Sequence, residues 1–227
     1  MKLKFGMIVT DGVNKIGGNV ISKNHFGRFA RTYVVPADPR TTAQQARRTR
    51  FQTYALNWKA LTGTQQAAWI AATVNYPRTD SLGNIYYPSG QNLYIELNSN
   101  LTFIGQPAVT SPPTKVVPAA PPPYHLVVNE TGSSYSLNPT VPYTDSTVIV
   151  CLKATISLST GINYVSTQLR NIKQFSPPGG AAVAFRTDYV AYFGAATIGK
   201  KVFIELYVIN KTSGSSTKGS FVGAIVT

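Results

Sequence analysis

Ser146-Thr147-Val148-Ile149-Val150-Cys151-Leu152-Lys153-Ala154 is the stretch on which the fold turns. Its β-branched and apolar residues read as a strand. Comparable runs follow at 163–169, 181–187, 201–209 and 221–226. Turn signals separate them at Ser159-Thr160-Gly161, Pro177-Pro178-Gly179-Gly180, Gly199-Lys200 and Ser213-Gly214. Short strands at this spacing within about 100 residues predict an antiparallel, all-β, immunoglobulin-like sandwich over residues 124–227.

Upstream lies a proline-rich stretch with Pro107, Pro112-Pro113, Pro118 and Pro121-Pro122-Pro123. Prolines at this density fix φ and withhold backbone donors, so neither a helix nor a central strand runs through them. Residues 106–123 therefore read as a semi-extended linker, or as an arm lying over a neighbour. The front of the chain, residues 1–105, reads as a separate basic module. The expected class is α+β, a basic N-terminal module with a short helical hairpin followed by the sandwich.

Within that front module the strand-like pieces 5–10 and 20–22 are short, and 25–35 alternates well enough for another extended segment. Gly12-Val13-Asn14-Lys15-Ile16-Gly17-Gly18 superficially suggests a phosphate loop but lacks the glycine pattern and the following helix, so a hairpin turn is expected. Pro36 and Pro39 end the extended stretch, and Thr41 or Thr42 can cap a helix from about Ala43 to Leu61. Its apolar stripe is Ala43, Ala46 or the aliphatic stem of Arg47, Phe51, Tyr54, Trp58 and Leu61, at spacings of three and four. Thr62 with Gln65 forms a capping box for a second helix through Ala68, Trp69 and Ala72 to about Val74. The hairpin core is expected from Phe51, Tyr54, Trp58, Leu61 and Trp69. A third helix is expected from about Gly90 to Leu101, capped by Ser89, with Leu93, Tyr94, Leu97 and Leu101 facing inward.

The composition of the 227 residues narrows the function classes. Hydrophobic residues make up 43%, too many for a disordered chain, while charged residues make up only 13%. One cysteine excludes an intramolecular disulfide, and with two histidines it makes a zinc site a poor fit. Cys151 sits in an apolar strand run and reads as core filler. His25 and His125 are isolated, and no third partner completes a triad or a ligand set. No paired carboxylates stand at catalytic spacing. The expectation is a protein that is not an enzyme, with no catalytic residue, no cofactor, no metal and no small-molecule substrate. No window is long enough to span a membrane, and the short apolar run in residues 1–10 does not make a secretory leader.

Charge is the stronger signal. Lysines and arginines number 21 against 8 acidic residues, a net charge of +13. Through residue 123 the basic and acidic counts are 13 and 4, and beyond it 8 and 4. The densest cluster is Arg40, Arg47, Arg48 and Arg50, with Arg28 and Arg31 upstream. On a helix Arg47 and Arg50 share a side while Arg48 projects elsewhere. They lie in the N-terminal half of the helix, where the macrodipole does not favour positive charge. An anionic partner would offset that repulsion, either an acidic surface on a neighbouring subunit or nucleic-acid phosphate. The alternative is a solvated face whose arginine stems cover the hairpin. Candidate partner-binding residues are Arg28, Arg31, Arg40, Arg47, Arg48 and Arg50.

At the hairpin the sequence meets a known pattern. Residues 38–51, Asp38-Pro39-Arg40-Thr41-Thr42-Ala43-Gln44-Gln45-Ala46-Arg47-Arg48-Thr49-Arg50-Phe51, are followed by Trp58-Lys59-Ala60-Leu61-Thr62-Gly63-Thr64-Gln65-Gln66-Ala67-Ala68-Trp69. Together they resemble a family of small proteins of tailed bacteriophages and of Bacteroidota genomes carrying phage-like genes. The family has Pro-Arg-Thr, then Gln and Arg, Phe, Trp with Leu-Thr, and Gln with Trp. Ser89-Gly90 with Tyr94 and Asn98 resembles its following helix. Val150 to Ala154, Tyr192-Phe193-Gly194, Gly199 to Phe203 and Ile209-Asn210 resemble the β part of longer members. Gln66 stands where many relatives carry a basic residue, which lowers the charge of the second helix.

The resemblance implies a virion structural protein, capsid-associated or of head–tail connector type, made in the host cytoplasm. Its partners would be other virion proteins in a homo-oligomeric or symmetric assembly. A nucleic-acid-binding accessory protein is the alternative, with phosphate contacts from the arginine helix and no sequence reading. A host-surface adhesion module is a third reading, drawn from the threonine-rich sandwich.

Overall fold

The structure, a computed structural model, describes residues 14–24, 27–35, 38, 40–80, 83–163, 165 and 167–227. The extended piece expected at 5–10, together with His25, Pro36 and Pro39, lies outside the described residues. The chain divides into two compact units, Met1–Ala46 and Arg47–Thr227.

In the first unit β1 (Asn14–Ile16), β2 (Asn19–Asn24) and β3 (Gly27–Thr32) form an antiparallel sheet in that order. Gly17-Gly18 makes the two-residue turn between Ile16 and its partner Asn19, so the glycine-rich run is a hairpin. The Lys15 ammonium lies 3.7 Å from the centre of the Tyr33 ring. Helix α1 (Thr42–Ala60) begins here and continues into the second unit. Thr41 caps it: its hydroxyl accepts from Gln44 N at 3.4 Å, and its own N–H donates to Gln44 Oε1 at 3.2 Å.

The second unit holds α2 (Gly63–Ala72), the short hairpin β4 (Arg78–Thr79) and β5 (Ile85–Tyr86), and α3 (Gly90–Phe103). The capping box at Thr62 forms with both of its hydrogen bonds, and Ser89 caps α3 through Asn92 N at 3.2 Å. Trp58 and Trp69 both meet the ring of Tyr94, at 5.7 and 5.3 Å between centroids, and Tyr54 joins at 6.1 Å. Leu93, Ile95 and Leu97 complete this core. Three helices therefore share one aromatic cluster, and Tyr94 of the third is its common contact.

Residues 106–123 contain neither helix nor strand, as their prolines require. They are pinned along the second unit. Asn98 accepts from Val109 N at 2.6 Å and donates to its carbonyl at 3.2 Å; Trp69 Nε1 donates to Thr110 O at 2.8 Å. Farther on, Tyr143 donates to Ala119 O at 3.1 Å, and Pro118 and Pro121 are buried.

The remainder is not the immunoglobulin-like sandwich that the strand spacing predicts. It is a mixed α+β arrangement of open sheets, none of them closed or curled. The strands are β6 (Tyr124–Asn129), β7 (Ser134–Pro139), β8 (Val148–Ala154), β9 (Arg170–Phe175) and β10 (Val183–Ala184). After helix α4 (Arg186–Phe193) come β11 (Lys201–Asn210) and β12 (Ser216–Ile225). One antiparallel sheet has the order β10-β7-β6, the other β12-β11-β8-β9.

Two local readings fail for identifiable reasons. The run 181–187 supplies only a two-residue strand before the chain turns into α4. Tyr189 and Phe193, four residues apart on that helix, pack into the core against each other at 5.2 Å, and Tyr189 meets Tyr135 at 5.3 Å. Burial of those rings overrides the strand preference of Tyr, Val and Phe. The strand expected at 163–169 lies instead at Arg170–Phe175, an edge strand whose arginine, asparagine and lysine hide its period.

The quoted stretch becomes β8, paired on both sides. Val148, Val150, Leu152 and Ala154 face the core shared by the two sheets. Ile149 and Cys151 face the opposite side, where Phe103 and Ile104 at the end of α3 cover them with Ile209 and Tyr207. A strand covered on both faces reads as a continuous apolar run. Asn100 Nδ2 donates to Gly214 O at 2.9 Å and Gln174 Nε2 to Phe103 O at 2.9 Å, fixing α3 on the sheet.

Candidate functional site

Where α1 and α3 meet the outer face of the four-stranded sheet, an open cleft of about 280 Å³ is formed. Arg47, Arg50 and Phe51 of α1 line one side, Ser99, Asn100 and Phe103 of α3 another, and Asn171 with Tyr207 the sheet side. Helical spacing delivers the arginines there: Arg47 and Arg50 are three apart and project together. Arg50 is half-buried, with its guanidinium carbon 5.3 Å from the centre of the Phe103 ring. Arg47 is exposed.

The sheet side is fixed by one hydrogen bond. Tyr207 donates its phenol to Asn171 Oδ1 at 2.9 Å, which leaves the Asn171 amide hydrogens as the donors of that side chain. Burial pushes the Tyr207 phenol well above its ordinary range, and the neighbouring Cys151 thiol adds to the shift. It stays a neutral hydrogen-bonding group. The Cys151 thiol is itself pushed up to about 12 by burial, so it is a packed hydrophobe and no nucleophile at neutral pH.

The described carboxylates have other partners, and one such pair stands beside the cleft, with the Lys153 ammonium 4.5 Å over the Tyr207 ring. Glu96 pairs with Arg78, Lys153 reaches Glu205 at 2.6 Å, Lys173 reaches Asp188 at 2.7 Å and Arg186 reaches Glu130 at 2.7 Å. Asp145 caps the turn at Thr147 and Asp80 the turn at Asn84, while Asp38 stands 3.7 Å from Arg40. Among the described residues no carboxylate forms an ion pair with Arg47 or Arg50.

The predicted arginines are thus divided. Arg47 and Arg50 come together in the cleft, and Arg48 is exposed on the same helix. Arg31 and Arg40 are exposed in the first unit, and the side chain of Arg28 lies outside the described residues. Of the expected hairpin core, Tyr54, Trp58, Leu61 and Trp69 pack together, whereas Phe51 is 59% exposed at the cleft. Ser99, Asn100, Phe103, Asn171 and Tyr207 carry no local signal of a site. Only the docking of α3 on the sheet brings them to the arginines.

Among the described residues no cluster of three or more His, Cys, Asp or Glu side chains could hold a metal ion, and no helix is long and apolar enough to cross a membrane. No family model matches the chain, and no curated protein or solved structure matches it either.

Proposed function

We propose that the chain is a non-enzymatic virion structural protein that attaches to a protein neighbour through the basic face of α1. The observation that carries this reading is the pairing of Arg47 and Arg50 beside exposed Phe51, with no carboxylate of the described chain on either guanidinium. A helix with two guanidiniums that no described carboxylate pairs, beside an exposed ring, has the makings of an interface edge, since arginine and aromatic side chains dominate such contacts. The phage connection comes from the sequence resemblance alone, which covers most of the chain and is most specific over residues 38–69. The test is particle association. Particles purified from producing cells should contain the chain, and the double variant Arg47→Glu with Arg48→Glu should stay folded in the soluble fraction while particles lose it. A wild-type chain absent from particles overturns the reading.

A second reading is favoured by one observation, the exposure of Phe51 next to arginines, because single-stranded nucleic acid binds where bases can stack beside basic groups. It predicts a steep loss of oligonucleotide affinity between 50 and 200 mM salt, with a slope of roughly 0.7 to 0.9 per phosphate contacted. Absence of binding at low salt removes it.

A further inference from the structure

We infer that the cleft between α1, α3 and the sheet is a receptor for an acidic peptide segment of a partner protein, with Arg47 and Arg50 as the carboxylate-binding groups. This rests on the reading of α1 as a protein attachment face and adds the chemistry of what is attached.

The charged groups of the cleft are of one sign. Two guanidiniums and the Asn171 amide offer donors, Ser99 adds a hydroxyl, and no acidic residue lines the wall. Arg50 is half withdrawn from water against Phe103, a position in which a guanidinium gains from a bound anion more than an exposed one does. Arg47, three residues away, repels it. Among the described residues no carboxylate pairs with either guanidinium, so a carboxylate brought by another molecule would relieve the pair.

The shape favours a peptide over a nucleic-acid strand. The guanidiniums converge on one short cleft, and Lys153, whose ammonium lies 4.5 Å over the ring of Tyr207, is held by Glu205. A phosphate backbone needs basic groups that track along a groove. An acidic residue followed by an apolar one would set its carboxylate in the guanidinium forks and its apolar side chain against Phe51 and Phe103.

The experiment uses the full chain and two fluorescent probes matched in charge, a Glu-rich octapeptide containing phenylalanine and an oligothymidine, with binding followed by anisotropy at low and moderate salt. Arg47→Gln with Arg50→Gln should weaken peptide binding about tenfold or more. Asn171→Asp, which puts a carboxylate into the cleft, should weaken it as well. Lys200→Gln with Lys218→Gln removes the same charge from exposed positions elsewhere and should leave binding within about twofold. Circular dichroism confirms that each variant is folded.

Equal loss in the cleft and control variants would show bulk charge attraction and overturn the site. Oligothymidine binding that exceeds peptide binding and depends on the two arginines would overturn the occupant. A peptide that fails to bind at low salt overturns the inference too. The proposed attachment role then stands or falls separately, on particle association.

Discussion

The phenol of Tyr207 on β11 reaches across β8 to Asn171 on β9, donating at 2.9 Å. Beneath that bridge lies Cys151, the cross-strand partner of Tyr207 and fully buried. The same side chain therefore forms the sheet side of the arginine cleft and the roof over the thiol.

The bridge makes thiol chemistry a gauge of the cleft's integrity. With its thiol pushed up to about 12, Cys151 has almost no thiolate at pH 8, and reagents reach it only when the sheet opens. Iodoacetamide should leave the folded wild type unlabelled over hours and label it fully in denaturant. Tyr207→Ala should raise the labelling rate of the folded chain about tenfold or more by removing the roof. Rapid labelling of the native wild type would contradict the burial.

Gly214 has a positive φ of 69°, and a Cβ there would collide with the carbonyl of Leu97 on α3. This is where the turn between β11 and β12 touches the helix, with Asn100 reaching the Gly214 carbonyl. Gly214→Ala should cost about 2 to 4 kcal/mol, because conformational strain and the collision act together. Gly105→Ala, at φ 75° but facing open space, should cost about 1 kcal/mol. Urea midpoints of the two variants measure the difference, and equal losses would mean that α3 is not seated against this turn.

Legibility in the sequence follows the range of the interaction that decides each feature. The caps at Thr41, Thr62 and Ser89 involve residues three apart, and local pattern places the three helices within two or three residues. The central strand at 148–154 is visible because both of its faces are apolar. Its surroundings are not. The arrangement of the sheets depends on Tyr189 and Phe193 folding into the core as a helix, and their preferences as isolated residues say strand. The cleft is half legible: Arg47 and Arg50 follow from charge and helical spacing. Asn171 and Tyr207 lie more than a hundred residues downstream and join them only through tertiary packing.

Asn98 is fully buried and serves as a clamp. Its amide donates to Tyr94 O and Val109 O, at 3.0 and 3.2 Å, and its oxygen accepts from Val109 N at 2.6 Å. Replacement by leucine of similar volume would leave the Val109 N–H and carbonyl without partners. The expected loss is about 2 to 3 kcal/mol, read as a lower urea midpoint. Hydrogen exchange should also accelerate at Val109 ahead of the sheet amides, since the clamp holds the proline-rich segment and not the sheet. Uniform acceleration across the sheet would count against that role.

Glu130 accepts from the phenol of Tyr135 and from Arg186, which also stands 5.7 Å over the Tyr135 ring. The Tyr135 hydrogen bond first, and the Arg186 hydrogen bond second, hold the Glu130 carboxyl below its ordinary range. Burial, and then the Glu130 hydrogen bond, push the Tyr135 phenol up to about 12, so it remains a donor at any neutral pH. A carboxyl held down in the folded state favours folding while it is ionised. Its contribution is complete above the unfolded carboxyl's range and fades as pH falls through the lowered folded value. Urea midpoints of the wild type should therefore fall on acidification below about pH 5. Glu130→Gln should be less stable at pH 7 and should lose less over the same acid window, so that the two curves converge. Parallel curves would mean that the Tyr135–Glu130–Arg186 cluster does not govern the acid limb.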